Sequence, residues 1–93
     1  MLSLADHPTQ SVCFELQADA EPGLLPRLLV PFARRDLTPD HVKTRRFGDV
    51  IEATLAMDAM PAEMLHLVEG NLRQIVGLRR LTVVLRASIR AAA

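Results

Sequence analysis

The sequence predicts an α+β fold in which a four-stranded antiparallel sheet carries two helices on one face. Three observations support this prediction: segments that alternate apolar and polar residues, two segments with apolar residues at helical spacing, and their order β-α-β-β-α-β. That order is the split β-α-β arrangement of ferredoxin-like folds. The chain has 93 residues, enough for one domain only.

The first half of the chain supplies a strand, a helix and a second strand. Residues 11–18 alternate, and the apolar face comprises Val12, Phe14, Leu16 and Ala18. A Pro-Gly turn leads into a helix whose apolar stripe comprises Leu24, Leu25, Leu28, Leu29 and Phe32. Pro31 removes a helical hydrogen bond, so we expect the helix to kink or end early. Residues 41–47 form a charged strand that suits a sheet edge.

The second half completes the fold. Gly48 and Asp49 predict a hairpin turn, and residues 50–57 alternate as a third strand. Pro61 opens the second helix, Gly70 marks a close helix–sheet contact within it, and Gly77 ends it. Residues 78–86 form the last strand. We expect a loose leader over residues 1–10, one domain over residues 11–87 and a tail over residues 88–93.

Composition excludes several classes of protein. Eleven basic and eleven acidic side chains give a net charge of zero, unlike a general nucleic-acid binder. No apolar run approaches the roughly 20 residues that span a bilayer. Met1 to Thr9 contain no Lys or Arg, so no signal peptide is recognisable and a cytoplasmic location is expected.

We find no catalytic residues, no metal site and no need for a cofactor in this chain. Cys13 is the only cysteine, lies on a predicted strand and is interpreted as a structural thiol. His7, His41 and His66 lack the spacing of a helical metal-binding pair. RNA binding by the sheet would need exposed aromatic residues. The chain has three Phe and no Trp or Tyr, and Phe14 is expected to face the helices.

The loop between the first strand and the first helix is the candidate ligand-binding site. It comprises Glu21, Pro22, Gly23, Leu24 and Leu25. Glycine lets the backbone approach a ligand, and the free N–H groups of the first helical turn can receive a carboxylate. An amino acid would fit such a site. A plain helix entry, with Gly23 chosen for its turn geometry, is the alternative.

Two segments resemble known proteins. Residues 14–18 followed by residues 21–29 resemble the opening of an ACT domain, a regulatory module of amino-acid metabolism. Residues 71–78 are similar to the helix-to-strand passage of acetolactate (acetohydroxyacid) synthase small subunits, especially the short form. Gly23 matches the glycine of the ACT ligand site, and Leu25 matches the apolar position after it.

The resemblance implies a ferredoxin-like, ACT-type fold and a homodimer paired edge to edge or helix to helix. It implies an amino-acid site between the first loop and a neighbouring protomer. It also implies a catalytic large-subunit partner, which would hold the thiamine diphosphate, flavin and magnesium. Three positions depart from the family pattern: Ala20 replaces a ligand-facing Asn or Asp, Pro31 interrupts the helix, and Asp36 replaces a glycine.

Together with this resemblance, the sequence predicts a non-catalytic regulatory subunit, with acetolactate synthase as the first candidate for its partner and a branched-chain amino acid as the candidate ligand. The strand over residues 41–47 is the first candidate for the partner surface. A free-standing amino-acid-sensing ACT dimer is the alternative. An RNA-binding ferredoxin-like domain ranks third because aromatic residues are few.

Overall fold

The computed structural model describes residues 8–86 and contains six elements in the predicted order. The elements are β1 (Thr9–Asp19), α1 (Leu24–Ala33), β2 (His41–Phe47), β3 (Val50–Pro61), α2 (Ala62–Arg73) and β4 (Leu78–Arg86). The strands form one antiparallel sheet in the order β2-β3-β1-β4. The predicted ferredoxin-like fold is confirmed. The predicted tail, and the leader up to residue 7, lie outside the described residues.

β1 is a central strand and forms the middle of the core. Its alternation is as predicted, and Val12, Phe14, Leu16 and Ala18 are all buried. The strand begins at Thr9, inside the predicted leader, because Thr9 still pairs with Pro61 of β3. Both helices pack on this apolar face of the sheet, and the opposite face stays open.

β3 continues to Pro61, beyond the end predicted at Met57. Its register against β1 shifts between Gln10–Met60 and Val12–Met57, which leaves an extra residue on β3 as a β-bulge. Met57 and Met60 therefore both face the core, although strict alternation would separate them. The strand looked shorter in the sequence because the bulge breaks its period of two.

The apolar stripe of α1 divides into two rows. Leu24, Leu28 and Phe32 are buried against the sheet. Leu25 and Leu29 were predicted to share that face, but they are 42% and 39% exposed. The helix also continues through Pro31 and ends at Ala33. One row at i, i+4 spacing is enough to cover this small sheet, so the second row is left beside β2.

α1 ends in a Schellman motif with Asp36 at its left-handed position. The Leu37 N–H donates to the Phe32 carbonyl at 2.9 Å, and the Asp36 N–H donates to the Ala33 carbonyl at 3.1 Å. Asp36 has φ 56° and is the only non-glycine residue with positive φ in the described part of the chain. The position that departs from the family glycine thus has the backbone conformation that favours glycine.

We expect Asp36→Gly to stabilise the domain by about 0.5–1 kcal/mol, because glycine adopts positive φ without Cβ strain. Arg34→Gly is the matched control. Because Arg34 has an ordinary helical φ of −62°, this variant should lose a similar amount of stability. Urea unfolding of both variants measures the difference. Destabilisation of both by the same amount would contradict the assignment of strain to Asp36.

α2 ends at Arg73, four residues before the predicted stop at Gly77. The Gln74 N–H donates to the Asn71 carbonyl, and the Ile75 N–H donates to the Leu72 carbonyl. These three-residue hydrogen bonds replace the four-residue bonds of the α-helix before the chain reaches Gly77. The helix–sheet contact predicted at Gly70 is wrong: Gly70 is exposed, and apart from its chain neighbours and the backbone of its own helix no atom lies within 4 Å of its Cβ position. Neither helix within residues 8–86 has the length and hydropathy to cross a membrane.

Candidate ligand site

The predicted ligand loop lies at the surface between β1 and α1. Glu21, Pro22 and Gly23 are exposed, Leu24 is buried in the core, and Leu25 is half-exposed. Gly23 precedes the first helical residue with φ 84°. No atom lies within 4 Å of its Cβ position, so the conformation, rather than a lack of space, requires glycine here.

The entry to this loop is fixed by two neighbouring turns. The Asp19 N–H donates to the Gly77 carbonyl at 2.9 Å, and the Ala20 N–H donates to the Asp49 carbonyl at 2.8 Å. The Asp19 carboxylate accepts a hydrogen bond from Arg79 Nε at 2.6 Å. Gly77 has φ 92°, and a Cβ added to it would lie 3.4 Å from Asp19 Cβ. The Asp19 side chain is thus engaged with β4 and does not replace the acidic or amide group missing at Ala20.

The first turn of α1 offers fewer free donors than the sequence predicted. The Leu24 N–H donates to the Glu21 carbonyl at 3.1 Å, and the Arg27 N–H donates to the Gly23 carbonyl at 3.4 Å. Pro26 has no N–H. In this turn the N–H of Leu25 alone is left without a backbone acceptor.

Arg27 adds a cation that the sequence prediction did not include. Its Nε donates to the Gly23 carbonyl at 3.2 Å, and its Nη2 lies 3.6 Å from Glu21 Oε1. Both groups of this pair are about half-exposed, so the pair is weak and open to exchange. The signal that could have identified Arg27 in the sequence is its four-residue spacing from Gly23, which is about one helical turn.

An apolar slot adjoins the loop and runs between α1 and β2. It has a volume of about 210 Å³ and is lined by Leu25, Leu28, Leu29, Val42, Thr44 and Leu55. We call it the α1–β2 slot. Leu25 belongs to both the loop and the slot. The polar end of α1 and an apolar cavity therefore meet at one residue, which is the arrangement that a small amphipathic ligand needs.

A family model described as an ACT-like domain matches residues 5–91, which is almost the whole chain. The chain belongs to the ACT-like domain family. The predicted ACT family is thereby confirmed, and ACT domains are regulatory, non-catalytic modules.

The ACT-like fold of this chain is similar to the solved C-terminal domain of the MgtC protein from Mycobacterium tuberculosis. The TM-score is 0.66 with 17% sequence identity, over 90% of this chain and 95% of that chain. At this identity the likeness shows the fold alone. No protein of curated function matches the chain.

The ACT-like domain holds Cys13 half-buried on the open face of the sheet. Burial raises the pKa of the Cys13 thiol, and the neighbouring Glu15 carboxylate raises it further. The thiolate, which is the nucleophilic form, is therefore scarcer than for a free cysteine at neutral pH. Within residues 8–86 no three metal-ligating side chains come together.

The open face of the ACT-like sheet lacks an aromatic platform for bases. Phe14 and Phe32 are buried and pack edge to face with ring centroids 5.8 Å apart. Phe47 is exposed at the edge, where the Arg45 guanidinium lies 5.0 Å from its ring centroid. Because RNA-binding sheets stack bases on several exposed rings, this face does not suit that function.

Proposed function

We propose that this ACT-like domain is a regulatory module that binds a small aliphatic amino acid and thereby controls a partner enzyme. The observation that supports the proposal is the junction at Leu25, where the end of α1 meets the α1–β2 slot. The carboxylate of the ligand would bind near the Leu25 N–H and the Arg27 guanidinium. Its side chain would enter the slot.

The slot favours aliphatic side chains. Its lining is apolar except for Thr44, and no charged residue contributes to it. Its volume of about 210 Å³ is below the roughly 300–1,000 Å³ of sites for drug-sized ligands. Valine, leucine and isoleucine therefore fit the proposal better than charged or bulky amino acids do.

The catalytic subunit of acetolactate synthase is the first candidate for the partner enzyme. The proposal rests on the similarity of residues 71–78, which form the end of α2 and the entry into β4. Adding the purified chain to such a catalytic subunit is expected to raise its activity and to make it respond to the amino acid. Unchanged synthase activity, with amino-acid binding intact, would favour the free-standing sensor instead.

A thermal-shift screen with all twenty amino acids tests the binding site. A ligand at 100 times its Kd contributes about 2.7 kcal/mol to stability. Each kcal/mol raises the Tm of a domain of this size by roughly 4–8 °C. We expect valine, leucine or isoleucine to raise the Tm, and lysine and glutamate to leave it unchanged. A flat response to all twenty would contradict the proposed site.

A further inference from the structure

The open face of the sheet carries charged side chains in two columns, one on each side of β1. The β3 column is acidic and the β4 column is basic; they comprise Glu52 with Asp58 and Arg80 with Arg86. In the strand register, Gln17 of β1 lies between Glu52 and Arg80. Asp58 and Arg86 line one depression near the other end of β1. Because β1 lies between β3 and β4, it separates the two signs of charge.

The four charges of these columns have no ion-pair partner within residues 8–86. The three ion pairs of the described chain do not include them, and one of the three joins Asp19, at the end of β1, to Arg79. Glu52 accepts a hydrogen bond from Gln17 Nε2 at 3.1 Å, which leaves its negative charge in place. Arg45 of β2 is opposite Glu52 in the register but forms no ion pair with it. All four side chains are exposed and can reach another molecule.

Between the columns the face is low and mostly neutral. Three residues of β1 that point to this face are half-buried and uncharged: Ser11, Cys13 and Gln17. Cys13 is bordered by Ala56 and Val84. These small side chains let a second sheet approach to the roughly 10 Å at which sheets pack face to face.

A two-fold axis along β1 brings opposite charges together. It lays β3 of one copy over β4 of the other, so that Glu52 faces Arg80 and Asp58 faces Arg86, each pair occurring twice. A two-fold interface uses the same patch on both copies and therefore needs a surface that complements itself. A partner with charge of one sign would match only one column. The pattern thus favours a second copy of this chain over a uniformly acidic or basic partner.

Other two-fold axes in the plane of the sheet fit less well. An axis across the strands lays each column over itself. An axis between β3 and β1 sets Arg45 against Arg80, and an axis along β3 sets Glu52 against its own copy. An axis between β1 and β4 overlaps only two strands. With the axis along β1, one unpaired charge faces its own copy, namely Glu15.

The overlapping area fits a weak, reversible dimer. Three strands about 4.8 Å apart and about 30 Å long cover roughly 400 Å² per copy in projection. Protruding side chains add to this area, so two copies together reach the lower limit of specific interfaces, about 1,000–1,200 Å² in total. The zero net charge of the chain adds no general repulsion between copies.

We infer that a second copy of this chain packs on the open face of the sheet, about a two-fold axis along β1. The helices and the α1–β2 slot lie on the opposite face, so this inference goes beyond the proposed function and leaves the amino-acid site accessible. The arrangement differs from the edge-to-edge and helix-to-helix dimers that the family resemblance implies.

Charge reversal across the axis tests the inference by analytical ultracentrifugation. Glu52→Arg and Arg80→Glu each set like charges against each other, so each variant should dimerise at least tenfold more weakly. The two variants mixed in equal amounts should associate again, because each supplies the charge that the other has lost. The chain that carries both reversals should also dimerise like the unmodified protein. A merely structural role of either residue would not produce this recovery.

Two further variants on the same face serve as controls. Lys43→Glu reverses a charge on β2, outside the overlapping strands, and should change the Kd of the dimer by less than about twofold. A dimer paired through β2 would respond to this change instead. Glu15→Gln should strengthen the dimer severalfold, because it removes the like-charged pair on the axis.

Cys13, the only cysteine of the chain, reports the position of the axis. Two copies related by an axis along β1 bring their Cys13 side chains together, so a short bismaleimide should link them. A continuous sheet paired through β2 would separate them by five strand spacings, about 24 Å. A protein that stays monomeric up to millimolar concentration would overturn the inference. So would a dimer that is insensitive to both reversals, or one whose reversed variants do not recover when mixed.

Discussion

Phe14→Ala is expected to cost about 3–5 kcal/mol of unfolding free energy, the usual range for a buried phenylalanine. Phe14 is fully buried on the central strand and packs edge to face on Phe32 of α1, with a 79° angle between the rings. The total free energy of unfolding of a domain of this size is roughly 5–14 kcal/mol. The loss would remove a large part of that stability and release α1, the helix that forms one wall of the slot.

Phe47→Ala is the matched control for this loss. Phe47 is 48% exposed at the sheet edge, and the Arg45 guanidinium lies 5.0 Å from its ring centroid. An exposed cation–π contact contributes about 0.5–1 kcal/mol, so the control should lose no more than that. Guanidinium unfolding of both variants measures the difference. Similar losses in the two would show that Phe14 does not anchor α1.

Gly23→Asp is expected to abolish the amino-acid response while the domain stays folded. The new carboxylate would lie beside the Leu25 N–H and would repel the carboxylate of the ligand. Aspartate tolerates positive φ better than most residues, so the cost in stability should be about 1 kcal/mol. Calorimetric titration with the amino acid that gives the largest Tm rise measures the loss, which should exceed tenfold in Kd.

Gly48→Asp provides the control for charge and backbone strain. Gly48 has φ 60° in the β2–β3 turn and, like Gly23, has no atom within 4 Å of its Cβ position. This variant carries the same new charge and a similar strain away from α1, so it should bind the amino acid like the unmodified protein. Loss of binding in both variants would mean that Gly23 has no special part in the site.

The sheet could be predicted from the sequence because most of its signals are local. The alternation of residues 11–18 identified β1, and the charge of β2 identified it as an edge. The bulge in β3 was not predicted, because nothing in the local sequence marks it. At the bulge the Asp58 N–H donates to the Asp40 carboxylate at 2.7 Å, a contact between residues that are distant in the sequence.

The candidate site was only partly predictable for a similar reason. The loop and the positive φ of Gly23 follow from Pro22 and Gly23 themselves. The slot does not, because it exists only where Leu25 and Leu29 of α1 meet Val42 of β2. In the sequence these two leucines belong to the same apolar stripe as the buried residues of α1. Only the packing of the helix on the sheet shows that Leu25 and Leu29 remain exposed.

The most direct test of the regulatory site is an amide titration of the unmodified protein by NMR with the amino acid found in the thermal screen. We expect the resonances of Gly23, Leu25 and Val42 to shift together with a single Kd, because the loop and both walls of the slot contact one ligand. Cys13 and Thr82, on the open face, should not move. Shifts confined to the open face, or no saturable shifts at all, would contradict the account.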